Sequence, residues 1–252
     1  MNRLQAIIFD MDGTLADTEE IHRQAFNIAF AEFHLPLNWS IPEYRRLLSI
    51  SGGRERIRHC LKQQGVVDHQ EAELHTLTDT VHARKSEIYR DKLRRGEVQI
   101  RPGIRRLIQE ARAAGLKLAI ATASSAHNVE TLLAATLGAD ASGLFSTIIS
   151  SDQVEEKKPS PAAYQVCLTE LKLQPQHCIA IEDTRNGNLA ALQAGLTTVI
   201  TTHHLTIDND FSGAALVLNH LGEPDFPFTA TTGQDFGATS VDLALLEKIL
   251  RG

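Results

Sequence analysis

The sequence predicts an α/β protein, a doubly wound parallel sheet with an inserted all-helical domain. Three observations predict it. Short apolar runs of strand length alternate with helical stretches from residue 104 onward. A single strand-like run stands alone near the N-terminus, and roughly 80 residues of helical pattern separate it from the rest. Strands alternating with helices of about 10–15 residues call for parallel pairing, because each crossover helix must cover a face of the sheet.

The elements follow in order. QAIIFD (5–10) is an apolar run that ends in a carboxylate and reads as the first strand. Residues 19–33 place Ile21, Ala25, Ile28, Ala29 and Phe33 at helical spacing. A second helix is expected at 43–48. Ser51-Gly52-Gly53 breaks the pattern, and a helix resumes from Arg54. Residues 71–93 form a long, charged helical stretch. After Arg101-Pro102-Gly103 the expected elements are helix 104–114, strand 116–122, helix 126–137, strand 145–151 and helix 161–171, with Pro161 in its first turn. Strand 178–183, helix 188–194 and strand 197–201 follow. Past Asp225, FPFTATTGQDFGATS reads as a loosely ordered connection to a last helix at 241–250. The expected division is an α/β core domain at 1–17 and 98–252 and a helical domain at 18–97.

Composition narrows the function classes. The chain has 252 residues and a formal net charge of −6, which argues against nucleic acid as a partner. No apolar run approaches the roughly 18–20 residues of a membrane helix, so no membrane role is expected. MNRLQAIIFDMDG meets two aspartates after a short apolar stretch and does not read as a secretion signal. Cys60, Cys167 and Cys178 show no paired spacing and read as buried thiols in a reducing, cytoplasmic setting. A small anionic metabolite fits as partner, because it responds to local charge.

The chemistry concentrates at strand ends. Asp10 and Asp12 lie just past the first strand, where open α/β sheets bind ligands, and Gly13 permits a turn there. Glu182 and Asp183 end a later strand in the same way. Four carboxylates on one sheet edge would raise one another's pKa values unless a hard cation relieved them, and Mg²⁺ with a phosphate fits oxygen ligands of this kind. Thr122 ends a third strand with a hydroxyl, and Ala123 and Ser124 offer backbone N–H groups at the start of a helix. Lys158, in KKPSP, suits a phosphoryl oxygen as a flexible point charge; Lys157 is its competitor.

F-D-M-D-G-T (9–14), the Thr122 strand end, Lys158-Pro159 and E-D-T-R-N-G (182–187) together resemble the four motifs of the haloacid dehalogenase superfamily of aspartate-nucleophile phosphatases. The resemblance covers residues 4–225, and the insert looks like that superfamily's small helical cap. E-E-I-H-R-Q-A-F-N (19–27) and S-G-G-R-E-R-I (51–57) are similar to the CbbY-like sugar-phosphate phosphatases, relatives of β-phosphoglucomutase and phosphoglycolate phosphatase. The resemblance implies Asp10 as nucleophile and Asp12 as general acid and then base. It implies Mg²⁺ on Asp10, Asp183 and the backbone carbonyl of Asp12, with Glu182 on the ion or just behind it. Thr122 and Lys158 would orient the phosphoryl group.

Between Arg45 and Lys62 six basic residues face only Glu55. A Gly-rich break beside arginines suits a second anionic group of a substrate. Arg54 and Arg56 with Gly53 are the residues expected there if Arg54 lies in the loop; on a helix Arg56 would face away from Arg54 and Arg58. His22 and Asp17 are further substrate candidates. His203-His204 are assigned to a loop. The cap is expected to hinge near 17–18 and 99–103. The reading is a Mg²⁺-dependent phosphatase of a small sugar phosphate, a pentulose bisphosphate such as xylulose 1,5-bisphosphate among the options, acting as a monomer. A sugar phosphomutase or a phosphoglycolate phosphatase-like enzyme is the alternative.

Overall fold

The structure, a computed structural model, describes residues 3–66 and 71–251. The outermost positions of the expected core domain (1, 2 and 252) and residues 67–70 of the expected helical domain lie outside the described residues. The chain forms two compact units, Met1–Asp17 with Gln99–Gly252, and Thr18–Val98.

The first unit is built on one seven-stranded sheet. Its strands are β1 (Ala6–Phe9), β2 (Lys117–Ala121), β3 (Thr147–Ile149), β4 (Cys178–Glu182), β5 (Thr197–Thr201), β6 (Leu216–Leu218) and β7 (Ala230–Gly233), in the spatial order β3-β2-β1-β4-β5-β6-β7. All pairings are parallel except β6 with β7. Every residue of β1 and β4 is buried, as continuous apolar runs in the middle of a two-sided sheet should be. Phe9 pairs with Ile120 on one side and Ile181 on the other. The chain order reverses at β1: β2 and β3 extend one way and β4 onward the other. That reversal opens the crevice in which doubly wound sheets bind ligands.

The α-helices of this unit are introduced with those of the other in chain order: α1 (Glu19–Glu32), α2 (Ile41–Leu47), α3 (Gly53–Gln63), α4 (Glu71–Arg94), α5 (Ile104–Ala113), α6 (Ala126–Leu137), α7 (Ala162–Leu171), α8 (Arg185–Gln193) and α9 (Leu243–Arg251). Tyr164, Cys167, Leu168 and Leu171 of α7 and Ala190 and Ala191 of α8 form one core with Ala6, Ile8, Ala119, Ala121, Cys178 and Ala180. These strand positions alternate, so they share one face. Alanine at several of them lets the helices approach closely.

The second unit is helical throughout its described secondary structure. α1 packs along α4, and α3 packs on α4 as well. Its core is aromatic. Trp39 lies 4.6 Å from Phe26 and 4.8 Å from Phe30 between ring centroids. The backbone of Trp39 is tied to the side chain of Asn27, donating to Oδ1 at 2.7 Å and accepting from Nδ2 at 3.0 Å. Ser40 and Glu43 form a reciprocal capping box at the start of α2.

Three expectations need correction. The stretch past Asp225 is not merely a loose connection: it contains β7, which closes the sheet with an antiparallel strand. Gly233 allows this, since a Cβ there would stand 2.2 Å from the carbonyl oxygen of Ala215. β6 also went unanticipated, because three apolar residues are too few to show a period. α8 begins at Arg185, not 188, because the Thr184 hydroxyl accepts from the backbone of Gly187 at 3.1 Å and caps the helix earlier.

All three cysteines are free and buried. Burial pushes the Cys167 and Cys178 thiols up to about 12, and raises Cys60 as well. At pH 8 a thiol of that kind is ionised only about once in 10,000 molecules, so thiolate chemistry is suppressed. Native protein at pH 8 should therefore show little reaction of Cys167 and Cys178 with a disulfide reagent over minutes, and all three thiols should react at once in denaturant. Rapid labelling of both in the native state, followed by peptide mass, would contradict this burial.

Candidate active site

The C-terminal ends of β1, β2 and β4 lie side by side, so the residues that follow them meet. Asp10 extends β1 by one step, its N–H donating to Ile181 O at 2.9 Å. Glu182 ends β4 and Asp183 follows it. Carboxylate oxygens of Asp10, Glu182 and Asp183 lie within 4.8 Å of one another, and all three residues are buried. No other such group of acids, histidines or cysteines occurs among the described residues.

Lys158 is the buried cation set among them. Its Nζ donates to Asp10 Oδ1 at 2.6 Å, to Glu182 Oε1 at 2.5 Å and to Ala121 O at 2.9 Å. An ammonium has three protons, and each has an acceptor. Burial works against its charge, but Asp10 and Glu182 outweigh burial and hold Lys158 above the ordinary lysine range. Tyr164 donates its hydroxyl to the same Glu182 oxygen at 2.6 Å, and burial followed by Glu182 raises its pKa. Glu182 Oε2 accepts from the backbone N–H of Asp183 at 3.2 Å. Gly187 faces this carboxylate so closely that a Cβ would stand 1.9 Å from Oε2. Only glycine fits there, which explains the last position of E-D-T-R-N-G.

One lysine does not balance three acids. Burial pushes the Asp10 carboxyl well above its ordinary value; Lys158 pulls it down, and Glu182 and Asp183 push it up further. The donor set is all oxygen, compact and short of positive charge. That is the chemistry of a hard divalent ion, and the residues present fit one.

Asp12 is partly buried, and Ser124 donates its hydroxyl to Asp12 Oδ2 at 2.5 Å. The Ser124 N–H donates to Thr122 Oγ1 at 3.1 Å, so this predicted phosphate donor is engaged with the neighbouring hydroxyl. Thr122 is buried at the end of β2, and Ala123 is partly exposed beside it. The structure thus brings Asp10, Asp12, Thr122, Ser124, Lys158, Glu182 and Asp183 to one sheet edge. Asp17 is exposed, and its N–H donates to Gln99 O at 3.0 Å.

The remaining predicted residues belong to the helical unit. His22 is buried, its Nδ1 2.7 Å from Lys85 Nζ and its ring stacked 4.0 Å from Tyr89. Gly53 opens α3 under His82, where a Cβ would come within 2.9 Å of the imidazole. Arg54 lies within α3, not in the preceding loop, and pairs with Asp79 at 3.0 Å. Arg56 donates to Ile50 O at 2.8 Å and to Tyr44 Oη at 3.2 Å. Arg58 pairs with Glu71.

Three residues near the carboxylates escaped the sequence reading. Tyr164 gave no signal, sitting in an apolar helix. Arg101 is buried and donates to the carbonyl oxygens of Gly13, Thr201 (3.0 Å), Thr202 (2.7 Å) and Asn219 (2.6 Å), pinning the turn after β1 to the segment after β5. His203 does lie in a loop, as expected, but its Nε2 is 3.0 Å from Asp183 Oδ2. Its place two residues past β5 was the available signal.

Residues 7–201 match the model of the haloacid dehalogenase-like hydrolases. The chain is 47% identical over 227 residues to the plasmid protein CbbY of Cupriavidus necator, covering 89% of this chain and 88% of that one. It is 26% identical over 201 residues to a phosphorylated carbohydrates phosphatase of Thermotoga maritima, covering 80% and 86%. The crystal structure of a CbbY variant from Rhodobacter sphaeroides in complex with xylulose-(1,5)bisphosphate superposes with a TM-score of 0.79 at 41% identity, covering 86% of this chain and 94% of that one. With β1 to β5 and all four motifs within the matched span, the chain belongs to the haloacid dehalogenase-like hydrolases, in their CbbY-like branch, and is a phosphatase.

Proposed function

We propose that this phosphatase hydrolyses a small sugar phosphate through an aspartyl-phosphate on Asp10, with Mg²⁺ as cofactor. The observation that carries the reading is the placement of Asp10 against Lys158, Glu182 and Asp183, with Asp12 two residues on and on the same sheet edge. A pentulose bisphosphate of the xylulose 1,5-bisphosphate kind is the favoured substrate, supported by the complex of the R. sphaeroides relative.

The ion would be held by Asp10, by Asp183 and by the backbone carbonyl of Asp12, with Glu182 on the ion or just behind it. Bound there, it would supply positive charge to the phosphoryl oxygens and to the attacking carboxylate. In the first step a carboxylate oxygen of Asp10 attacks phosphorus in line. The Asp10 O–P bond forms and the ester P–O bond breaks. Asp12 gives its proton to the leaving alkoxide. In the second step Asp12 takes a proton from water as that water attacks the same phosphorus, and Asp10 leaves as carboxylate. Burial raises the Asp10 carboxyl, so Lys158 and the bound ion together would be needed to keep it ionised, while Asp12, partly exposed with a serine partner, exchanges the proton. Lys158 supplies positive charge to the phosphoryl group and can donate to it on releasing Asp10, the Thr122 hydroxyl orients a phosphoryl oxygen, and Ala123 N–H at the entry to α6 adds a donor. Glu182 and Tyr164 hold Lys158 in place.

Asp17, His22, Gly53, Arg54 and Arg56 are proposed to contact substrate, and they bear on which sugar is accepted and not on the chemistry at Asp10. No helix among the described residues is long and apolar enough to cross a membrane. A cytoplasmic monomer is part of the same proposal.

Asp10→Asn should lower phosphate release by about 10³-fold or more on every substrate, since it removes the nucleophile; a panel of sugar phosphates read by malachite green tests it, and full activity in this variant would sink the assignment. The same panel separates hydrolysis from phosphomutase action, because hydrolysis releases one phosphate per substrate consumed and isomerisation releases none. Chelation with EDTA should reduce activity to about 1% or less, with recovery on adding Mg²⁺. Undiminished turnover in metal-free buffer would remove the ion from the proposal.

A further inference from the structure

We infer that His203 is a positioning residue for the metal site: its Nε2–H fixes the rotation of the Asp183 carboxylate, a task that none of the four strand-end motifs assigns to it. The inference rests on the proposal above that Asp183 helps to hold a divalent ion.

The tautomer follows from the hydrogen bonds. The backbone N–H of Leu205 donates to His203 Nδ1 at 3.3 Å, so Nδ1 presents its lone pair. The ring proton is then on Nε2, which faces Asp183 Oδ2 at 3.0 Å. The other oxygen of that carboxylate, Oδ1, accepts from the Thr14 hydroxyl at 3.0 Å. Asp183 is thereby held at both oxygens, by a residue of the first motif and by the loop after β5. Each oxygen keeps a further lone pair for an ion.

The loop is built for this. The His203 N–H donates to Thr206 Oγ1 at 3.1 Å, and the N–H groups of Thr206 and Ile207 both return to His203 O at 2.9 Å. The side chain is almost fully buried, 8% exposed. Gly13 forms the floor beneath the pair: a Cβ there would stand 2.3 Å from Asp183 Oδ2 and 3.0 Å from His203 Nε2. Arg101 ties the carbonyl of Gly13 to those of Thr201 and Thr202, so the floor and the histidine's loop are fixed to each other. His203 is not itself grouped with the three acids as a ligand; its one donor is spent on Asp183. Donors that orient a ligating carboxylate in this way are worth about 10–100-fold in metal affinity.

The test is Mg²⁺ binding to the metal-free protein, measured by isothermal titration calorimetry without substrate, for wild type, His203→Gln, His203→Asn, His203→Leu and Asp183→Asn. A glutamine amide nitrogen reaches the place of Nε2, and an asparagine amide stops near that of Nδ1. His203→Gln should stay within about 3-fold of wild type, and His203→Asn and His203→Leu should weaken Mg²⁺ by about 10–100-fold. At saturating Mg²⁺ the weakened variants should regain kcat to within several-fold, with KM for p-nitrophenyl phosphate unchanged. Asp183→Asn should abolish binding. If Asp183→Asn abolishes binding and His203→Asn does not weaken it, the inference is wrong and the metal reading stands. If Gln is as weak as Asn, the ring and not its Nε2 donor is what matters, which also overturns it. If Asp183→Asn binds as wild type does, the metal reading itself falls. Should the leucine variant fail to fold, the Gln–Asn pair decides alone.

Discussion

Three carboxylates buried together are the constraint from which the rest of this site follows. An ionised acid removed from water is costly unless it is paired or bonded, and here Asp10, Glu182 and Asp183 share one small volume. The protein meets the cost with a specific set of donors. Lys158 bridges two of the acids, Tyr164 adds to Glu182, and Thr14 and His203 take the two oxygens of Asp183. At Asp10, burial and the like charges of Glu182 and Asp183 still outweigh Lys158, and in the proposed reaction a divalent ion would meet that remaining demand for positive charge.

The sheet supplies the convergence. β1 lies between β2 and β4, and strands in parallel register finish at the same edge. Asp10, Thr122, Glu182 and Asp183 therefore become neighbours at strand ends, and Lys158 joins them from the connection between β3 and α7. The helices that follow β2 and β4 then start beside the site, where Thr122–Ser124 are small or hydroxyl residues and Thr184 and Gly187 flank the start of α8. Gly187 shows how tightly the second of these turns is packed, since its missing side chain is the space filled by Glu182.

Much of this was legible in the sequence, for identifiable reasons. β1, β2 and β4 are apolar runs bounded by polar residues, and their alternation with helices dictates a parallel sheet. The acids and the threonine stand at the ends of these strands, and the lysine was found from its loop, between β3 and α7. The elements that stayed hidden are short or polar: β6 has three residues, and β7 is an exposed Ala-Thr-Thr-Gly strand with no alternation. The residues that stayed hidden act through their partners. Tyr164 looks like any core aromatic until Glu182 is placed beside it. Arg101 looks like a basic residue before a turn until four carbonyl oxygens surround it. His203 was read as loop, which is correct for its backbone and uninformative about its ring. Strand-end position identifies groups at the site, whereas these contacts need three-dimensional proximity that no local pattern encodes.

The helical insertion leaves and rejoins the first unit at adjacent points. Asp17 donates to Gln99 within that unit, and Ala16 bridges Ile100 in antiparallel fashion beside it. The two ends of an excursion of about 80 residues are thus clasped by main-chain bonds that belong wholly to the sheet domain. Closing such an excursion costs entropy only logarithmically in its length, and the clasp bears that cost whatever lies beyond it. The length of the excursion can therefore change at little entropic cost without disturbing the strands that carry the buried carboxylates.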